Sequence, residues 1–227
     1  MTKIVVLTGA GISAESGIKT FRDSDGLWEG HDVMEVASPI GWEHNKSLVL
    51  DFYNKRRAQL LNVSPNEGHR ALVLLEKKYE TTIITQNVDD LHERAGSKNV
   101  LHLHGELLKV RSSKNENIIY DWTDDLNLGD LCKENNQLRP HIVWFGEEVP
   151  MLDKAIEITS KADILIIIGT SMQVYPAASL IHFIKPKTLV YFIDPKPTIR
   201  ENQYPNLTII TEKASTGVVK LITKLIG

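Results

Sequence analysis

Short apolar runs recur along the chain, at residues 4–8, 82–85, 100–103, 142–145, 164–168, 189–193 and 207–210. Several are apolar throughout rather than alternating, the pattern of strands covered on both faces in a parallel sheet. Between them lie stretches of helical character, at 67–79, 153–161, 177–184 and 216–226. The alternation predicts an α/β fold, a Rossmann-like parallel sheet with helices on both faces. Two stretches break it. Residues 28–66 are helical and polar-rich, and 112–139 are hydrophilic apart from a few positions such as Ile118, Ile119, Tyr120 and Trp122. Each leaves the core and returns. They predict a small domain made of 28–66 and 112–139, beside a Rossmann-like domain of 1–27, 67–111 and 140–227.

Where the apolar runs stop, glycines and small polar or ionisable residues gather. The ends read Thr8-Gly9-Ala10-Gly11, Thr85-Gln86-Asn87-Val88-Asp89, His102-Leu103-His104-Gly105, Phe145-Gly146-Glu147, Gly169-Thr170-Ser171 and Asp194-Pro195. In an open parallel sheet, ligands bind beyond the carboxyl ends of the strands, so these loops predict one composite site. Gly9-Ala10-Gly11-Ile12-Ser13-Ala14 matches the G-x-G-x-x-A turn that brings backbone close to a pyrophosphate. The usual second half of a dehydrogenase fingerprint is missing. In its place runs a glycine-punctuated loop from Ser16-Gly17 through Phe21-Arg22 to Gly26. A loop over the cofactor suits chemistry that breaks a dinucleotide better than chemistry that shuttles a hydride. His104 ends a strand at the crevice, and an imidazole titrates near neutral pH as a general base must. His102 shares its strand face, but no third metal ligand is visible, so a packed, hydrogen-bonded role is expected for it.

Charge and composition narrow the classes. The net charge is −3 without any block of lysines and arginines, which leaves no nucleic-acid footprint. No leader and no apolar run of about 18 residues is present, so a cytoplasmic protein without a membrane partner is expected. The single cysteine, Cys132, excludes an internal disulfide framework.

The motifs in register resemble those of the sirtuins. Gly9-Ala10-Gly11-Ile12-Ser13, Ser16-Gly17-Ile18, Phe21-Arg22, Gln86-Asn87-Val88-Asp89, His104-Gly105, Phe145-Gly146-Glu147 and Gly169-Thr170-Ser171 follow the family order over nearly the whole chain. His104 to Arg111 and Leu138-Arg139-Pro140-His141 point to its CobB-type, class III branch. The resemblance implies NAD as cofactor and acyl-lysine proteins or peptides as substrates. In the implied reaction the acyl oxygen attacks C1′ of the nicotinamide ribose, and nicotinamide leaves. An alkylimidate then resolves to lysine and O-acyl-ADP-ribose. His104 would be the base, with Asn87 and Asp89 holding ribose and carboxamide. Gly9, Ala10, Gly11, Ser13, Ser16, Gly17, Phe21, Arg22, Gln86, Gly169, Thr170, Ser171, Asp194 and Ala214 would hold the rest of NAD. Val143, Phe145 and Gly146 would face the substrate. An NAD glycohydrolase or ADP-ribosyltransferase would share the C1′ chemistry and stays open as an alternative.

Two features refine that picture. Residues 45–61 read as a helix capped by Asn45, in which Val49, Tyr53, Arg56 and Leu60 form one stripe. In class III sirtuins a Tyr-x-x-Arg pair binds the carboxylate of malonyl- or succinyl-lysine, and Tyr53-Asn54-Lys55-Arg56 matches it. A guanidinium fork plus a phenol suits a carboxylate, so a desuccinylase or demalonylase with weaker deacetylase activity is expected. The second feature is a departure. Sirtuins usually carry two cysteine pairs that hold a structural zinc, whereas 110–138 offers only Cys132, with Ser112 about where the first ligand belongs. No zinc is expected. The small module must then rely on packing, with Ile118, Tyr120, Trp122 and Leu131 as candidates.

Overall fold

The computed structural model describes residues 1–19 and 27–227. In chain order, β1 (Lys3–Thr8) is followed by the short pair β2 (Leu27–Trp28) and β3 (His31–Asp32). Then come helices α1 (Val33–Val36), α2 (Pro39–His44), α3 (Lys46–Leu61) and α4 (Glu67–Leu75). Next are β4 (Glu80–Thr85), α5 (Leu91–Ala95), β5 (Val100–His102), β6 (Gly105–Ser112), β7 (Ile119–Asp121) and β8 (Leu138–Ile142). After α6 (Leu152–Ser160) follow β9 (Ile164–Ile168), a 3-10 helix (Ala177–Phe183), β10 (Leu189–Ile193), β11 (Leu207–Ile210) and α7 (Ala214–Ile226).

Six strands form a parallel sheet in the order β11-β10-β9-β1-β4-β5. The two-residue period of a strand explains both cores. Ile4 and Val6 face a layer made by α4 and α7, with Leu72, Leu75, Val218 and Leu221 buried against Ile83 and Ile166. Val5 and Leu7 face the other way, onto Ala155 of α6 and Leu180 of the 3-10 helix, beside Ile84, Leu165, Ile167 and Phe192. The doubly covered, Rossmann-like sheet expected from the sequence is present. From β1 the chain runs outward to β4 and β5, then crosses back to β9 on the opposite side. The switch point therefore lies between β1 and β9, where an open sheet places its ligand crevice.

A second, antiparallel sheet has the order β7-β6-β8. Of the run at 142–145, read above as a strand of the main sheet, only Ile142 is in a strand, and that strand belongs to the antiparallel sheet. It is β8, which ends at Ile142 and pairs with β6. An apolar run reports burial and not which sheet it enters. The third core cluster joins α1–α3 to this sheet through Trp42, Val49, Phe52, Tyr53, Leu107, Val110, Leu138 and Trp144. Of the four packing candidates, Ile118 is buried, and Tyr120 and Trp122 pack against the cluster. Leu131 instead stands 51% exposed, and Leu126 and Cys132 are buried. Helix α3 starts as expected: the Asn45 Oδ1 accepts the Leu48 N–H at 3.0 Å, satisfying one of the orphan amides of its first turn. Among the described residues, no helix is long and apolar enough to cross a membrane.

Candidate active site

The loops after β1 and β9 meet at the switch point. Gly11 N–H donates to the Gly169 carbonyl at 2.8 Å, and Gly9 N–H to the Ile168 carbonyl at 3.0 Å. Gly169 sits at φ +60°, and a Cβ on Gly11 would lie 2.6 Å from the Gly169 Cα. The glycines of the G-x-G turn are thus required by the neighbouring loop, before any ligand arrives.

Above these loops opens a cavity of about 690 Å³, the size of a small-molecule site. Its wall brings together Gly9, Ala10, Gly11, Gln86, Asn87, Asp89, His104, Gly169, Thr170, Ser171, Asp194 and Ala214. The candidate substrate residues Tyr53, Arg56, Val143, Phe145 and Gly146 line the same space. Ser13, Ser16 and Gly17 stand behind the wall instead. Ser16 Oγ accepts from Asn66 Nδ2 at 3.0 Å, and the Gly17 carbonyl accepts from Gln59 Nε2 at 3.1 Å. Phe21 and Arg22 lie outside the described residues.

The hydrogen bonds of His104 fix its form. Its Nδ1 is 3.0 Å from the Gln86 carbonyl. A carbonyl only accepts, so Nδ1 carries the proton and Nε2 keeps its lone pair. Burial lowers the His104 pKa, against the opposing pull of the Gln86 carbonyl, and the ring is neutral at pH 7. Val143 N–H donates to the His104 carbonyl at 2.9 Å, tying two of the cavity-lining segments together. His102 differs. Its Nδ1 donates to the Asn87 carbonyl at 3.1 Å and its Nε2 to the Glu93 carboxylate at 2.8 Å. Burial opposes the charged ring, yet Glu93 and Asn87 raise its pKa overall. With both nitrogens donating, it offers none to a metal.

Asn87 and Asp89 are held by a network that the sequence did not reveal. Ser13 Oγ donates to Asp89 Oδ2 at 2.9 Å and accepts from Asn87 Nδ2 at 3.2 Å. Its remaining lone pair faces His69 Nε2 at 3.4 Å. His69 Nδ1 accepts the Asn66 N–H, so Nε2 is the protonated nitrogen, and burial lowers the His69 pKa to about 4. One hydroxyl thus uses its single donor and both acceptor sites. Burial also raises the Asp89 carboxyl, against the bonds from Ser13 and Leu91. Below lies a second relay: Thr8 Oγ1 donates to Thr85 Oγ1 at 2.8 Å, and Thr85 accepts the Asn87 N–H at 3.0 Å. The one signal that could have found it is the pair of threonines, Thr8 and Thr85, that close apolar strands.

The residues fit a dinucleotide chemically. Gln86 and Asn87 supply amides, Lys213 brings an ammonium group for an anion while Lys19 is paired with Glu29 at 3.1 Å, and apolar side chains suit flat rings. A model of the Sir2 family matches residues 9–176. The chain belongs to the Sir2 family, the sirtuins. It is 61% identical over 227 residues to an NAD-dependent protein deacylase of Helicobacter pylori, covering all of this chain and 98% of that one. To the NAD-dependent protein deacylase of Bacteroides thetaiotaomicron it is 50% identical over 232 residues, covering 100% and 99%. Among solved structures, a Sir2 homolog–NAD complex superposes with a TM-score of 0.88 at 38% identity, covering 99% of this chain and 89% of the other. A Sir2 protein bound to an acetylated peptide gives 0.79 at 29% identity, covering 98% and 91%.

Proposed function

We propose that this sirtuin is a cytoplasmic NAD-dependent protein-lysine deacylase that prefers succinyl- and malonyl-lysine over acetyl-lysine. The observation that carries the reading is a shared cavity: Tyr53 and Arg56 line the space that His104, Asn87 and Asp89 also line. When bound, NAD supplies a ribose carbon whose bond to nicotinamide is broken and replaced by the acyl oxygen. The chain's own groups do the rest. Asn87 and Asp89 present an amide and a carboxylate, held by Ser13, to ribose and carboxamide. His104 Nε2 is the lone pair that removes a ribose hydroxyl proton.

On the acyl side, Tyr53 Oη accepts the Trp144 Nε1–H at 2.9 Å, which leaves its own proton to donate. Burial drives its pKa up, so it stays a neutral donor. Arg56 lies over the Phe52 ring at 5.0 Å, and its Nε has no hydrogen-bond partner among the described residues. An acidic acyl chain supplies the missing acceptor. Hydrogen bonds to charged groups are worth about 1.5–3 kcal/mol, so Arg56→Met should lower desuccinylation about 10- to 100-fold. Peptides carrying acetyl-, malonyl- or succinyl-lysine, assayed side by side, check this; equal loss on all three sinks the carboxylate pocket.

We read the main domain as 1–27, 67–111 and 140–227, with 28–66 and 112–139 as the small one, and the latter as zinc-free. With one cysteine in the chain, no closed tetrahedral thiolate site can form. Cys132 is buried beside the Ser112 hydroxyl, with its N–H bonded to the Asn136 carbonyl at 2.8 Å. Stoichiometric zinc in elemental analysis would overturn this part.

A further inference from the structure

The wall behind Tyr53 carries charge that the proposed reaction does not use. Glu147 lines the cavity, and its carboxylate takes a fork from Arg139, Nη1 to Oε1 at 2.6 Å and Nη2 to Oε2 at 3.1 Å. Arg111 Nη2 adds a contact at 3.3 Å, and the Trp144 N–H donates at 2.8 Å. Burial alone would raise the Glu147 carboxyl, but these donors hold it below the usual range, so the wall contains a permanent anion. Arg139 does not line the cavity. Its guanidinium lies 3.3 Å from the Trp144 ring centroid, and Nη2 also donates to the Ile142 carbonyl at 3.0 Å. Trp144 in turn donates to Tyr53.

An acidic acyl chain reaching Tyr53 and Arg56 therefore approaches a wall with a carboxylate of its own. Only the arginines make that wall acceptable. A planar guanidinium can clamp both carboxylate oxygens and stack on an indole at once, which an ammonium cannot. We infer that Arg139 is a specificity-determining residue for acidic acyl groups, a positioning residue that neutralises Glu147 and holds Trp144 against Tyr53. This inference rests on the acidic-acyl reading above.

The test compares kcat and KM on succinyl- and acetyl-lysine peptides at saturating NAD. Arg139→Met is expected to lower the succinyl-to-acetyl ratio of kcat/KM about 10-fold, as a nearby carboxylate left with only the longer Arg111 contact and the Trp144 N–H would. The loss falls on the KM for the succinyl peptide. Glu147→Gln keeps an oxygen for the Trp144 N–H and removes the anion, so it raises the ratio above wild type. Added to Arg139→Met, it recovers most of the lost ratio. A merely structural Arg139 would lower both substrates and the Tm together, with no rescue by Glu147→Gln. If Arg139→Met does not fold, Glu147→Gln alone decides, and a ratio unchanged or lowered overturns the inference. Arg56→Met separates the two levels. If it loses the ratio while Arg139→Met and Glu147→Gln keep it, only the role of Arg139 falls. If wild type shows no acidic preference, or Arg56→Met leaves the ratio intact, the acidic-acyl reading falls and takes this inference with it.

Discussion

Gly11→Ala should destabilise the protein even when no NAD is present. The new Cβ would sit 2.6 Å from the Gly169 Cα and 2.8 Å from the Gly169 carbonyl oxygen. Both are backbone atoms, so no side chain can swing aside. Ordinary contact starts near 3.4 Å, and the loops after β1 and β9 must part by roughly 0.8 Å. Overpacking of this kind costs about 1–3 kcal/mol. The same movement weakens the Gly11 N–H bond to Gly169, 2.8 Å long, worth about 0.5–1.5 kcal/mol. A total near 2–4 kcal/mol lowers the Tm of a chain this size by about 4–15 °C. Thermal unfolding by circular dichroism, with and without NAD, reads the effect. An unchanged Tm without NAD, together with weaker NAD binding, would refute the reasoning. It would show that the glycine serves the ligand and not the loop beside it.

Because burial lowers the His104 pKa, the acid limb of kcat/KM should lie below 6.5, with a plateau above it; a limb centred higher contradicts the neutral, Nε2-basic ring. His102 has its pKa raised in the folded state, so its stabilising contribution is complete below the unfolded value and fades as pH rises through the folded one. Glu93→Gln should therefore cost more Tm at pH 6 than at pH 9, and a constant difference across that range would contradict the pairing. Arg57 is 1% exposed and donates to the Leu107 carbonyl at 3.2 Å, Asn54 Oδ1 at 2.8 Å and the Asp124 carbonyl at 3.3 Å. Arg57→Leu orphans buried acceptors and should cost about 1–3 kcal/mol, seen as a lower urea midpoint; an unmoved midpoint would count against it.

The apolar runs sufficed to place the sheet, because strands buried on both faces need little else to identify them. The polar residues at their ends likewise marked the crevice, since β1, β4, β5, β9 and β10 all deliver their carboxyl ends to it. Tertiary pairing was less legible. Ile142 to Phe145 has the composition of a core strand, and only the register of β8 with β6 shows where the pairing stops. The stripe drawn through α3 found Tyr53 and Arg56 but passed over Arg57, which is the deeper arginine. Helix α3 buries Val49, Leu50, Phe52, Tyr53, Arg57 and Leu60, more than one face, so a single stripe could not rank its two arginines. His69 escaped for a related reason. Its role depends on Ser13, 56 residues away in sequence, and a buried neutral histidine leaves no pattern of its own.

The two sides of the cavity differ in how completely their polar groups are satisfied. On the side assigned to NAD, Ser13 has a partner for its proton and for each lone pair, and His69 and His104 are each held in one tautomer. Such a network has one low-energy arrangement and cannot adapt cheaply. On the side proposed for the acyl chain, Tyr53 keeps a proton to give, and Arg56 Nε lacks an acceptor among the described residues. An unpaired buried donor is costly, and the carboxylate of the proposed acidic acyl chain would remove that cost on entry. The proposed acidic-acyl preference rests on this contrast: a terminal carboxylate would meet the open donors of Tyr53 and Arg56, whereas acetyl-lysine brings only the carbonyl oxygen that every acyl-lysine shares.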